Sequence, residues 1–262
     1  MSIQTIYATE FRYEFGSGRT KPCVFGCVDT DGNEVGDIVV KLRGGMDTPE
    51  LGSFSEYTCS LLARYLNIAC AEPFLVDIDA ALSTAIPNLA IAERVRKSSG
   101  INFATRYLSP AYSEWIPPMK LSAHELYHAA NIFAFDAFIQ NPDRRMDKVN
   151  LLFKNDTLVV IDHELAFSFA LDILQKKELW LVQKEAWLRK HVFFTPLHKT
   201  TPDWTQLKDR LQEMQKDKIA EQIIHSVPSE WHNYQTEKVL PHIQSVLAHN
   251  EEFFQELTYL LL

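Results

Sequence analysis

The sequence predicts an α+β protein of two lobes, the first rich in strand and the second mainly helical, and three observations carry that expectation. Residues 5–43 alternate polar and apolar side chains with a period of two, as strands do. From residue 121 onward apolar side chains recur three and four apart, as they do on the buried face of a helix. Between the two regimes KSSGINFATRY reads as a connection, which divides the chain into residues 1–105 and 106–262.

Bulk properties bound what such a protein does. A chain of 262 residues, 46% hydrophobic and 23% charged, has the composition of a globular protein with an ordinary core. With a net charge of -8, a phosphate-rich ligand must be met by a local group of cations, and nucleic acid is not an expected partner. No stretch approaches the ~18 to 20 apolar residues of a membrane span, and MSIQTIYATEFRYEF lacks a basic and an apolar leader region, so the expectation is cytoplasmic. Cys23, Cys27, Cys59 and Cys70 lack zinc-site spacing and read as small core residues in a reducing compartment.

Taken in order, Thr5 to Phe15 reads as a strand with Tyr7, Phe11, Tyr13 and Phe15 on one face. The loop GSGRTKP follows, and its backbone amides and hydroxyls (Ser17, Gly18, Thr20) suit either a polyphosphate or an ordinary hairpin turn. Pro22 to Asp29 is a second strand, TDGNE a turn, and Asp37 to Arg43 a third strand. In the third strand Ile38, Val40 and Leu42 share one face, while Val39, Lys41 and Arg43 share the other. Lys41 is then either an exposed edge lysine or a phosphate ligand, and the choice depends on its partner.

Asp47-Thr48-Pro49 opens a helix running to about Asn67, with proline suited to its first turn. Glu56 shares a face with the small residues Cys59 and Ala63, so it is either solvated or the ion-pair partner of Lys41. The apolar runs PFLVDI and AIPNLAIAERV read as a strand or two completing the first sheet. A helix follows in LSAHELYHAANIFAFDAFIQ, where Ser122 and Glu125 form a capping box.

The chain is organised around what that helix delivers, FDAFIQNPDRRMDKVNLLFKNDTLVVIDHELAF at residues 135–167. Asp143 follows the helix end at Asn141-Pro142, a hairpin of VNLLF and LVVI turns at Asn155-Asp156, and Asp162 sits at the hairpin exit. Phosphoryl transfer uses such a pair: one carboxylate orients the attacking hydroxyl and another holds magnesium against the phosphates. The helix also contains His124-Glu125-Leu126-Tyr127-His128, a match to the zinc-hydrolase pattern H-E-x-x-H. Against that reading, the histidines lie near the positive end of the helix, Glu125 is used as a cap, and a third ligand has to be a remote acid such as Glu164 or Glu178.

The phrases SGRTKP, VVKL, QNPDRR with NLLF, and IDHELAF, in this order, resemble those of the HipA-like kinases, a family distantly similar to phosphatidylinositol kinases and protein kinases. The resemblance spans about residues 10 to 170, and NPDR and IDH are its most specific parts. It implies a protein-kinase-like fold and an enzyme that uses ATP and magnesium to phosphorylate a hydroxyl, foremost a serine or threonine of a protein, with small-molecule and lipid hydroxyls as alternatives. By position it implies that Ser17, Gly18 and Thr20 cover the phosphates, Lys41 binds them and Glu56 holds Lys41. Asp143 is then the catalytic acid, Asp162 the magnesium ligand, and Val39 an adenine contact.

One position departs from the family pattern. The asparagine that serves as second metal ligand, five residues after the catalytic aspartate, is replaced by Lys148, and the nearest asparagine is Asn150. A charged lysine does not ligate magnesium. Either Asn150 substitutes, or one metal binds, or Lys148 supplies a charge at the γ-phosphate, or the chain is a nucleotide-binding module that transfers poorly and acts through a protein partner. Residues 164–200, with Trp180, Trp187 and the basic cluster Arg189, Lys190 and His191, read as core helix with a solvated face in the place where related enzymes take their acceptor. Val239, Ile243, Val246, Leu247, Phe253 and Leu257 mark the last helices, and the terminal LTYLLL is expected to pack on them.

Overall fold

The computed structural model describes residues 3–16, 20–108, 111–117, 120–172 and 178–262. Five of its strands form a barrel: β1 (Thr5–Glu14), β2 (Cys23–Val28), β3 (Glu34–Lys41), β4 (Pro73–Ile78) and β5 (Gly100–Arg106). They are ordered β1-β2-β3-β5-β4, and a parallel pairing of β1 with β4 closes the ring, leaving no free edge. Alternation sends Ile6, Phe25, Ile38, Val40, Leu42, Phe74, Val76 and Ala104 into one apolar interior. It leaves Val39 and Lys41 half-buried on the outer wall, where the pairings Tyr13 to Val24, Val24 to Val39 and Val39 to Thr105 line up one row of side chains.

Three expectations for this region change. The aromatic residues of β1 do not share one face: Phe11 packs against the barrel core beside Phe25, while Tyr7 and Tyr13 are each 41% exposed. Register shifts at Ala8/Glu10 and Phe11/Tyr13 interrupt the period-two alternation. The run LAIAERV is not a strand but a helix, α2 (Leu89–Lys97), started by the Asn88 side chain accepting from the amides of Ala90 and Ile91. GINFATR, read as part of the connection KSSGINFATRY, is β5, the strand that completes the barrel; Phe103 faces the helical core and Ala104 the barrel interior.

The helix α1 (Pro49–Tyr65) is buried on every side from Leu51 to Ala63, since one face meets the barrel and the other the helical part of the chain. Tyr57, for example, donates its hydroxyl to the Ser226 carbonyl at 2.9 Å. A short strand β6 (Ser113–Glu114) precedes α3 (Ala123–Phe138), whose Ser122 and Glu125 form the expected capping box. Strands β7 (Leu151–Lys154) and β8 (Thr157–Val160) form the expected hairpin, completing a sheet of order β6-β7-β8. Asn155 and Asp156 both take positive φ (48° and 61°), the conformation a two-residue hairpin turn requires.

Residues 164–200 do not form the long core helix expected of them. Their described part folds as 3-10 turns at Ser168–Leu171, Val182–Lys184 and Ala186–Lys190 and one turn of helix, α4 (Phe194–Leu197), and Phe167, at φ 55°, interrupts a right-handed helix before the first of them. The chain closes with α5 (Thr205–Lys216), α6 (Ile219–His225), α7 (Val239–Ala248) and α8 (Asn250–Leu261). Leu257, Leu260 and Leu261 are buried in their common core, as the apolar terminus implied. Among the described residues no helix is long and apolar enough to cross a membrane.

Candidate active site

Three elements meet beside the barrel wall and deliver the charged residues singled out in the sequence. β3 delivers Lys41, α1 delivers Glu56, and the segment leaving β8 delivers Asp162, held at φ 61°. Lys41 Nζ is in contact with Glu56 Oε1 and lies 2.7 Å from Asp162 Oδ1. Glu56 is not solvated: its side chain is 2% exposed, and its Oε1 also accepts the His163 amide at 2.9 Å. Burial opposes the charge on Lys41, but the Asp162 and Glu56 carboxylates outweigh it and hold the pKa above the ordinary lysine value. For Asp162 burial acts upward, and the neighbouring Lys41 and Lys148 ammoniums hold the carboxyl well below the usual range. Burial pushes Glu56 upward against the pull of Lys41.

α3 ends as Gln140 takes φ 50°, and the next three residues bring Asp143 to the same place. Lys148 Nζ lies 2.5 Å from Asp143 Oδ2 and 3.6 Å from Asp162 Oδ2, so one ammonium links the two acids. Asn150 joins them, with Nδ2 3.3 Å from Asp143 Oδ2. The site thus contains Lys41, Glu56, Asp143, Lys148, Asn150 and Asp162 in one connected group, with Val39 beside Lys41 on the wall. Carboxylate and amide oxygens are the donors a hard cation such as magnesium takes, so the residues fit that ion.

The loop between β1 and β2 holds the residues expected to cover phosphates. Ser17 and Gly18 lie outside the described residues. Thr20 is buried, and its carbonyl accepts from Arg94 Nη1 at 3.2 Å. Arg94, to which sequence reasoning assigned no role, braces both flanks of the loop from α2: it contacts Glu14 before the loop and the Thr20 and Lys21 carbonyls after it.

A second unforeseen group anchors Asp143 from behind. Arg144 and Asp136 are wholly buried and joined at 2.6 Å (Nε to Oδ2); Asp136 also meets His191 Nε2 at 2.9 Å and accepts from Asn141 Nδ2 at 2.8 Å. Arg144 Nη1 reaches the carbonyls of Asn150 and Ile161, the latter at 3.3 Å, tying the residue after Asp143 to the backbone beside Asn150 and Asp162. Asp136 carries the one legible signal, a lone acid in the apolar run FAFDAF, which calls for a buried cation. His191 does not belong to a solvated basic face with Arg189 and Lys190: it is 3% exposed, and its ring is edge-on to Phe133. Trp180 packs at the surface, stacked on His249 at 3.9 Å.

The H-E-x-x-H segment assembles no such centre. His124 and His128 approach to 3.2 Å (Nε2 to Nε2), but Glu125 is held in the capping box. Among the described residues no group of three or more His, Cys, Asp or Glu side chains is placed to hold a metal ion, so no third ligand joins the pair.

A family model described as HipA-like kinase matches residues 9–257. Among solved structures, that of a Helicobacter pylori proinflammatory kinase, CtkA, is similar with a TM-score of 0.50 and 14% identity, covering 95% of this chain and 94% of its own, which shows a shared fold. No curated protein sequence matches the chain. With nearly the whole chain matched by one family model, this α+β protein with a kinase-like fold belongs to the HipA-like kinase family.

Proposed function

We propose that this kinase transfers the γ-phosphate of ATP to a hydroxyl, foremost that of a serine or threonine in a protein. In this reading residues 1–105 form a nucleotide-binding lobe and 106–262 a catalytic one. The observation that carries it is Lys41, half-buried on the barrel wall and held by both Glu56 and Asp162 within one connected group that includes Asp143. A lysine fixed by two carboxylates is oriented in advance, so binding phosphate costs little further ordering. Ser17, Gly18 and Thr20 cover the phosphates, Val39 lies against the adenine, and Lys41 meets phosphate oxygens. Asp143 orients the acceptor hydroxyl and takes its proton. Asp162, with Asn150 nearby, would hold magnesium, which would supply positive charge against the transferring phosphoryl group.

The choice of acceptor rests on the family resemblance alone, because a fold does not determine the substrate, and a small-molecule or lipid hydroxyl is the alternative. A second reading, a nucleotide-binding module with little transfer that acts through a protein partner, is favoured by Lys148 lying 2.5 Å from Asp143 and engaging the oxygen a hydroxyl has to approach. Asp143→Asn separates the two. The variant is expected to bind ATP with magnesium as the wild type does and to lose about 10²- to 10⁴-fold in autophosphorylation or slow hydrolysis, the contribution of a positioned base. Unchanged turnover in Asp143→Asn would sink the assignment of that residue; a wild type that binds ATP without turnover would establish the module.

A further inference from the structure

Resting on the kinase reading, we propose that the Lys148 ammonium is a built-in replacement for a second divalent cation, so that this site takes one metal ion per nucleotide. The argument is one of position and charge. Lys148 Nζ lies between Asp143 Oδ2, at 2.5 Å, and Asp162 Oδ2, at 3.6 Å, which is the bridging place of a cation shared by two carboxylates. The other oxygen of Asp162 is already met by Lys41 Nζ at 2.7 Å. Each Asp162 oxygen therefore faces an ammonium.

The charge count points the same way. Glu56, Asp143 and Asp162 bring three formal negative charges, and Lys41 and Lys148 bring two positive ones, leaving a single negative charge for a metal–nucleotide complex to meet. A neutral residue at position 148 leaves two, enough to draw a second divalent ion. The placement is also braced: the carbonyl of Lys148 accepts the Arg145 amide at 3.0 Å, its amide donates to the Arg145 carbonyl at 3.1 Å, and Arg145 pairs further with His191. The lysine side chain is only 35% exposed, so its ammonium stays near the two acids. An ammonium here supplies charge without a coordination shell. Acceptor and γ-phosphate are then drawn together by a fixed charge whose strength does not depend on the free concentration of a second ion.

Equilibrium dialysis of the full-length chain against Mn²⁺, with a saturating non-hydrolysable ATP analogue, counts ions per protein-bound nucleotide. The wild type and Lys148→Arg are expected to hold about one ion and Lys148→Asn about two, the number bound by kinases that have an asparagine there. Matched thermal unfolding of the three proteins guards against misfolding. About two ions in the wild type, or about one in Lys148→Asn with nucleotide still bound, would overturn the proposal and leave the kinase reading standing. A folded wild type that retains no nucleotide would overturn both.

Discussion

Arg144→Met tests the anchoring of the catalytic segment most directly. Arg144 and Asp136 are both fully buried, so removing the guanidinium strands a carboxylate in the core, a loss of about 3 to 5 kcal/mol when one partner of a buried pair is deleted. The Ile161 carbonyl also loses the Arg144 donor, whereas the Asn150 carbonyl keeps the Ile161 amide at 3.1 Å and Asp136 keeps Asn141 and His191. His191 adds a dependence on pH. In the wild type, burial and the Arg144 charge depress its pKa despite the Asp136 hydrogen bond. Without Arg144, the ring faces an unneutralised carboxylate, and its folded pKa is expected to rise above the unfolded value of about 6.5. A raised folded pKa adds stability that is fully present below about pH 6.5 and is lost as pH rises through the new value. The penalty of Arg144→Met, measured by urea unfolding, is therefore expected to be about 3 to 5 kcal/mol at pH 8 and at least about 1 kcal/mol smaller at pH 6. The double variant Asp136→Asn/Arg144→Met, which removes both charges, should lose less at pH 8 than Arg144→Met alone. A penalty below about 1 kcal/mol, or one equal at the two pH values, would refute the reasoning.

Acid should destabilise the chain well above the carboxylate range. Burial pushes His163 down to about 3 and His242 down to about 4, and a depressed folded pKa means stability that is present above about pH 6.5 and lost as pH falls. These two groups contribute a loss of about 2 to 3 kcal/mol per pH unit between pH 6 and 4, with the depressed His191 acting in the same sense and Glu56, shifted upward, in the opposite one. His242→Gln, which retains a donor for the Phe138 carbonyl, should reduce that slope by about 1 kcal/mol per pH unit; an unchanged slope excludes His242 as a source. Gly44→Ala places a Cβ 2.8 Å from the Arg94 carbonyl oxygen and 2.7 Å from Lys97 Cβ, so α2 has to shift. Because α2 carries Arg94, the substitution should cost about 1 to 3 kcal/mol in thermal unfolding and weaken nucleotide binding together; full stability and affinity would show that the close approach is relieved without moving α2.

Local signals determined much of this protein. Alternation along Ile38, Val40 and Leu42 placed Lys41 on the outer wall, Ser122 and Glu125 marked the start of a helix, and Asn155-Asp156 marked the hairpin that sets Asp162 apart from Asp143. Each depends on interactions within a few residues, and the segments that carry them also hold the family phrases. Where a local pattern was short, it was ambiguous: LAIAERV fits a strand or a helix until Asn88 caps it, and GINFATR reads as a loop until β3 and β4 pair with it. Only the tertiary structure decided the charge pairing. Lys41 and Asp162 are 121 positions apart, Arg94 and Glu14 are 80 apart, and Asp136 and His191 are 55 apart. Nothing in the spacing of such residues specifies a contact, because burial makes each partner necessary and the packing of whole elements chooses which partner is near. Lys148 shows the division most clearly: the sequence establishes that a lysine stands five residues after Asp143, and only the folded chain places its ammonium between the two aspartates.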